Sequence, residues 1–413
     1  MRRGFSLAVP LFLLLVSGCA SKSPFSLEDV ASPYAYQYTR EQGHIYHNPT
    51  GRQLTRHQLY DYLAGFTVIY VGESHDSVDD HAVQLDILEA LQVRFPGEVA
   101  LGLEMLGTDA QAEVDRWVAG AMSEKEMMRL WARNWSAASY PYYKDILDYV
   151  REEGIPVVAL NRPRTRLPQQ GDRGASAGGP GGALPERRPE PEIDDDDPYY
   201  RAYIGAFLAG HDAGPGTLDQ FIRAQSLWDE TMAESAAAFL SQPDNKSRKL
   251  VVLAGSNHVL YGFGIPRRLF RRMPVSYTIV SPVALHTPGH GTDKLMAVTP
   301  PELPLPPADI IWLVGYRDLE DQRVSLGISM APDDSGGVLL QAVNPGSSAE
   351  RAGLKEGDII RAIDGAAVTE PFDLTFELGS KTAGDRGTIT IERDGQLMPV
   401  IVDFENRAQP HSR

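Results

Sequence analysis

Phe66-Thr67-Val68-Ile69-Tyr70-Val71-Gly72-Glu73-Ser74-His75 runs from an apolar segment into a Gly-x-x-His. The pattern returns at Lys249-Leu250-Val251-Val252-Leu253-Ala254-Gly255-Ser256-Asn257-His258. In both, apolar residues follow one another instead of alternating, as in a parallel strand covered on both faces. Two histidines placed just past the carboxyl ends of such strands converge at one edge of the sheet. Open α/β folds put their sites at that edge.

Working outward, four more runs read as strands: Val99–Leu103, Ile155–Leu160, Ser276–Val283 and Asp309–Val314. Between them, Asp79–Phe95, Asp109–Ala119, Ser123–Trp131, Tyr142–Glu152 and Thr217–Leu240 have helical character, with Leu85, Leu88 and Leu91 at helical spacing. The alternation predicts an α/β domain over 27–316, a mostly parallel sheet flanked by helices. Residues 166–198 break the rhythm: Gln169–Ala183 is Gly-rich, Pro185–Pro191 mixes proline with charge, and Asp194–Asp197 is an acidic run. Such a segment buries too little apolar surface to offset its ordering entropy and reads as a disordered, solvated insertion.

A chain of 413 residues accommodates more than one domain. Its apolar share of 42% and charged share of 23% are those of ordinary globular protein. The net charge of −16 argues against nucleic acid as a partner, because neutralising phosphates needs a basic face. Arg2, Arg3 and the apolar stretch Phe5–Val16, too short to span a bilayer, form a signal peptide over 1–18. Val16-Ser17-Gly18-Cys19 resembles a bacterial lipobox, which implies lipidation (diacylglycerol, palmitate) of Cys19 and a tether over 19–26. Ala20 follows the cysteine where inner-membrane lipoproteins carry Asp, so the expected address is the outer membrane, facing the periplasm. Each buried acyl CH₂ contributes about 0.8 kcal/mol, enough in a multiply acylated protein for firm anchoring. Cys19 is the only cysteine, so disulfides, thiolate nucleophiles and sulfur-ligated metals are excluded.

Polar and ionisable residues stand at the end of every central strand: Glu73 and His75, Glu104, Asn161 with Arg162, and His258. Two imidazoles and two carboxylates suit a divalent metal such as Zn or Mn. They suit equally a general base oriented by a carboxylate. Gly72 and Gly255 are expected to let the chain turn sharply and a ligand approach the backbone. His81 opens a helix behind Asp79 and Asp80, as a supporting residue, a haem ligand or a surface residue. Pro266 fits a first helical turn, with Arg267 and Arg268 placed to hold an anion. Trp135, Tyr140, Tyr142, Tyr143 and Tyr149 crowd one stretch, and a phenolate can ligate haem iron. Arg223, Gln225 and Asp229 share one helix, and their spacing assigns them no role.

From Arg323 the texture changes to short strands and turns. Ser325-Leu326-Gly327-Ile328, Gly337–Val343 and Ala352-Gly353-Leu354-Lys355-Glu356-Gly357-Asp358-Ile359-Ile360 strongly resemble a PDZ domain, a small β-rich α+β unit over 323–405. The resemblance implies that backbone N–H groups at Leu326, Gly327 and Ile328 capture the carboxylate of a peptide or protein C-terminus, added as an extra strand.

The larger domain also resembles a known family. Gly72-Glu73-Ser74-His75-Asp76, His81 with Gln84-Leu85, Leu103-Glu104-Met105, Tyr143 before Asn161-Arg162-Pro163, the Arg223–Ala233 helix, and Gly255-Ser256-Asn257-His258 through Gly264-Ile265-Pro266 are similar to ChaN-type haem-binding lipoproteins. That resemblance implies haem binding in iron acquisition, a lipid anchor, and haem held between two protomers of a homodimer. It makes Tyr143, Tyr142, His81, Asn161 and Arg267 the candidate cofactor-binding residues. The same fold relationship reaches Tiki-type metalloproteases and erythromycin esterases. A metal-dependent hydrolase using Glu73, His75, Glu104 and His258 is therefore the second expectation beside the haem carrier.

Overall fold

The computed structural model describes residues 41–163, 192–208, 217–285, 303–319 and 324–405. The signal peptide, the tether, Cys19 and residues 166–191 of the expected insertion lie outside them. A hairpin of β1 (Ile45–His47) and β2 (Arg52–Leu54) leads into α1 (Arg56–Leu63), β3 (Val68–Glu73), α2 (Val78–Arg94) and β4 (Val99–Gly107). Then come α3 (Gln111–Val118), α4 (Glu124–Asn134), α5 (Tyr140–Glu152) and β5 (Val157–Asn161). The elements α6 (Pro198–Leu208), α7 (Thr217–Leu240), β6 (Lys249–Gly255), α8 (Ile265–Arg272), β7 (Tyr277–Ala284) and β8 (Ile310–Val314) follow. No helix among the described residues is long and apolar enough to cross a membrane.

The strands form one sheet in the order β2-β1-β8-β7-β3-β6-β4-β5. From β8 to β5 every neighbour is parallel, and the β1–β2 hairpin adds antiparallel strands at the β8 edge. All six expected strands are present. Successive residues of β3 feed opposite faces: Ile69 and Val71 join a core with α2 to α5, whereas Val68 and Tyr70 join one with α7 and α8. Burial on both faces is why these strands lack alternation. The three-residue strands β1 and β2 were not foreseen. They depend on pairing with β8 rather than on their own composition.

Helix α4 starts where it does because Ser123 caps it: Glu126 N–H donates to Ser123 Oγ at 3.3 Å, and Ser123 N–H donates to Glu126 Oε2 at 2.8 Å. The expected insertion ends earlier than residue 198. Asp194 Oδ2 lies 2.9 Å from both Arg267 and Arg271, and Asp197 pairs with Arg267. Asp197 also accepts the N–H groups of Tyr199 and Tyr200 at the start of α6. The acidic run is therefore docked rather than solvated, because α8 presents it with arginines that no local pattern links to it.

The C-terminal residues form a separate antiparallel sheet. Its strands are β9 (Ile328–Pro332), β10 (Val338–Val343), β11 (Ile359–Ile363), β12 (Ala366–Ala367), β13 (Arg386–Arg393) and β14 (Gln396–Asp403), and its helices are α9 (Ser348–Arg351) and α10 (Pro371–Gly379). The order β14-β13-β11-β10-β9 leaves β9 at an edge. Val338, Leu340, Ile360, Leu374, Ile389, Ile391 and Phe404 fill its core.

Candidate functional site

The two Gly-x-x-His segments lie side by side. Strands β3 and β6 are adjacent and parallel, with Glu73 opposite Gly255. A Cβ on Gly72 would stand 3.0 Å from Ser256 Oγ, and one on Gly255 would stand 2.9 Å from His75 Nε2. Neither glycine adopts a positive φ. Each is required because the other motif approaches it closely, not because the chain turns sharply there.

Glu73 is buried and organises one half of the site. Its Oε1 lies 2.6 Å from His75 Nδ1 and accepts the Tyr143 hydroxyl, while Oε2 accepts Gln84 Nε2 at 2.5 Å. His81 Nδ1 is 2.8 Å from Gln84 Oε1 and 3.6 Å from Glu73 Oε2. With 4% of its surface exposed, His81 supports the site from within and is not a helix-surface residue. The loop carrying His75 is pinned by Asp80, whose carboxylate accepts Ser74 N–H and the Ser77 hydroxyl at 2.8 Å each. Burial works against charge on Glu73, but His81, His75 and Tyr143 outweigh it and hold its carboxyl below the usual range.

His258 organises the other half. Its Nδ1 lies 2.6 Å from Asp229 Oδ1 and its Nε2 lies 3.3 Å from Glu104 Oε1. Gln225 Nε2 stands 3.1 Å from Nδ1, and Gly255 N–H donates to Glu104 Oε2 at 2.7 Å. Glu104 sits where the β4–β5 register slips between Leu103 and Gly107, and Asn161 Nδ2 holds its carbonyl at 3.0 Å. A bulge of this kind re-aims a side chain. Burial opposes charge on both partners. The attraction of Glu104 and Asp229 nevertheless raises His258 to about 10, and that of His258 and His75 lowers Glu104 to about 2. The arrangement favours a charged His258 ring, held between the Glu104 and Asp229 side chains.

His75 differs from His258 in exposure: 37% of its side chain is accessible, against 7%. Trp135 meets its ring edge-on at 5.0 Å between centroids. Burial again disfavours charge, and the Glu73 bond and the Glu73 and Glu104 charges override it, raising His75 to about 9. Gly255→Ala is expected to push the ring off this anchor. NMR titration should then show the His75 pKa falling toward the ordinary value of about 6.5. An unchanged value would mean that the ring has room to shift without losing Glu73.

Both candidate tyrosines are engaged in hydrogen bonds within the protein. Tyr143 is fully buried between Trp131 and His81, at 4.7 and 4.2 Å, and donates its proton to Glu73. Burial and the Glu73 charge push its pKa well above the ordinary phenol value. Tyr142 donates to Asp318 and accepts Leu319 N–H at 3.0 Å, tying down the segment after β8. Arg267 is occupied by Asp194 and Asp197. Gln84, Gln225 and Asp229 had no assigned role. The four-residue spacing of Gln225 and Asp229, which puts both on one face of α7, was the available signal. Among the described residues, no group of three or more His, Cys, Asp or Glu is arranged to hold a metal ion. In the C-terminal sheet, Leu326 is buried in the core and Gly327 N–H donates to Ser325 Oγ at 3.1 Å. Gly327 has φ +71°, and a Cβ there would strike Ser347.

Fold and site together define a two-part protein: a mostly parallel α/β domain with paired imidazole–carboxylate sets at its strand ends, joined to a PDZ domain. Residues 59–269 match the family model described as haem-binding uptake, Tiki superfamily, ChaN, and residues 324–403 match that of the PDZ domain. The chain belongs to the ChaN haem-binding uptake family. A solved structure of ChaN from Campylobacter jejuni with cofacial haem is similar at 18% identity and a TM-score of 0.47, covering 65% of this chain and 95% of that one. The chloroplastic protein RETICULATA-RELATED 5 of Arabidopsis thaliana is 23% identical over 247 residues, 54% of this chain and 32% of its own length. Periplasmic serine endoprotease DegP of Escherichia coli strain K12 is 30% identical over 84 residues, 20% of this chain and 18% of its own length. The chain thus spans a third or less of the curated relatives it matches.

Proposed function

We propose that this chain binds haem at its strand-end face in iron acquisition, anchored through Cys19 to the outer membrane and facing the periplasm, with its PDZ domain docking a peptide or protein C-terminus. The observation that carries the reading is His75. It is the accessible imidazole of the cluster, and its Nδ1 is held by a buried carboxylate. Iron-ligating histidines are oriented in that way, by a partner on the ring nitrogen away from the metal. His75 would hold the iron through Nε2, releasing to solvent the proton that its raised pKa of about 9 keeps on the ring at neutral pH; Glu73, Tyr143 and Gln84 fix its ring, and Trp135 offers an apolar edge beside it. Bound haem supplies the iron centre, and this chain's residues supply its orientation. The hydrolase reading uses the same four residues. It would require Glu73 and Glu104 to exchange the N–H and O–H donors they now accept for a metal.

Soluble protein lacking residues 1–19 is titrated with hemin. A Soret shift at micromolar hemin that is lost in His75→Ala supports the reading. No shift, together with stoichiometric zinc or manganese by elemental analysis, would overturn it in favour of the hydrolase. Membrane partitioning of full-length protein that persists in Cys19→Ser would count against the anchor.

A further inference from the structure

Helix α4 touches both the strand-end site and the PDZ domain. At its carboxyl end Trp131 is fully buried against Tyr143, Asn134 Oδ1 accepts Gly107 N–H at 3.0 Å, and Trp135, the next residue, meets His75. Nearer its start, Arg129 Nη2 lies 2.6 Å from Glu370 and 3.3 Å from Asp373, and Lys125 Nζ lies 2.9 Å from Asp373. Arg129 sits over the Phe372 ring at 4.7 Å and Lys125 over Phe376 at 5.5 Å. Phe372 and Phe376 pack onto the core of the larger domain, whereas Leu374 of the same helix belongs to the PDZ core. Helix α10 is therefore shared. With 11 residues, α4 is about 16 Å long, and both sets of contacts lie along it.

Asp373 makes this more than a surface ion pair. It is only 3% exposed, and its second oxygen accepts the Thr369 N–H and hydroxyl at 2.9 and 2.6 Å. A buried carboxylate divided between the PDZ loop and two cations of the larger domain makes the position of α10 depend on α4. Strand β9 is an unpaired sheet edge packed beside α10. A peptide added along that edge would lie beside α10.

We propose that the PDZ domain controls the strand-end site through α4. Helix α10 braces α4, and an extended peptide with a free carboxylate entering along β9 loosens that brace and frees Trp135 and Tyr143 from their positions around His75. Packed interfaces switch between arrangements rather than deform continuously, so a small displacement of α10 reaches the site. The inference rests on the haem reading for its ligand only; the link between the domains can be measured without haem.

Coupling between two sites is reciprocal, so the site can report on the groove. Hydrogen–deuterium exchange is followed on the full chain with hemin as the probe. Hemin is expected to slow exchange over 327–332 and 371–379 about fivefold or more. Without hemin, Arg129→Glu should speed exchange over 131–135 and 140–146 as well as in α10, and adding Glu370→Arg should restore only part of it, because Asp373 still lacks its arginine partner. Lys125→Ala, a milder cut, should move the same segments less, and it serves if Arg129→Glu fails to fold. Faster exchange confined to 324–405 in these variants overturns the proposal, as does hemin-bound protein with α10 unchanged. A parent protein without a Soret shift sinks the haem reading instead, and the hemin-free comparison still decides the coupling.

Discussion

Glu73→Gln is expected to weaken hemin binding about 10- to 100-fold, the range seen when the residue orienting a metal-bound histidine is lost. Glu73 accepts from three donors at once, His75, Tyr143 and Gln84. An amide has one oxygen, so its NH₂ must face a donor on one side or the other. If it faces His75 and Tyr143, the imidazole loses its anchor. If it faces Gln84, a buried donor is left unmatched, at a cost of about 1–3 kcal/mol in stability. Hemin titration with a parallel urea melt separates the two. His75→Ala should abolish the Soret shift, whereas Tyr143→Phe, which removes the hydroxyl 3.2 Å from Nδ1 but leaves Glu73 at 2.6 Å, should weaken binding without abolishing it. An affinity for Glu73→Gln within twofold of the parent would show that haem is held elsewhere. A complete loss in Tyr143→Phe would return the ligand role to the phenol.

Arg268→Ala is expected to cost about 3–5 kcal/mol of stability, the range for removing one partner of a buried charge pair. Arg268 is 1% exposed and donates to the carbonyls of Phe263, Gly264 and Asp194 at 2.5, 3.2 and 2.7 Å. Its Nε lies 3.2 Å from Glu230, its guanidinium stacks on Tyr200 at 4.7 Å, and Asp229 is 3.8 Å away. Removal leaves three carbonyls and a fully buried Glu230 short of donors, although Arg271 and Arg272 still reach Glu230 at 2.7 and 2.6 Å. Arg268→Lys should recover only part of the loss, because one ammonium cannot match the fork of contacts. The check is the urea midpoint. A loss below about 1 kcal/mol would mean that Arg271 and Arg272 compensate fully.

Much of this organisation is legible in the chain itself. The runs that became β3 to β8 announce themselves, because strands buried on both faces must be apolar residue after residue. Their ends are less well marked. Val99–Leu103 grew into β4 through Gly107, since the register slip that carries Glu104 depends on β5 and Asn161. The acidic run Asp194–Asp197 resembles solvated linker in every local respect. Only the arginines of α8, some seventy residues later, make it structured.

By itself the sequence determined the two-domain division, the parallel α/β class, and the placing of Glu73, His75, Glu104 and His258 at strand ends. These follow from residue type and short-range pattern, which act within a few residues. The tertiary structure decided which partner each of them found. Glu73 takes Tyr143 and Gln84 from helices α5 and α2, and His258 takes Asp229 and Gln225 from α7. It also decided that His75 is accessible while His258 is enclosed, and that α4 touches both His75 and the PDZ helix. Hydrogen bonds and burial act over a few ångströms in space, and only packing brings residues so far apart in the chain within that reach.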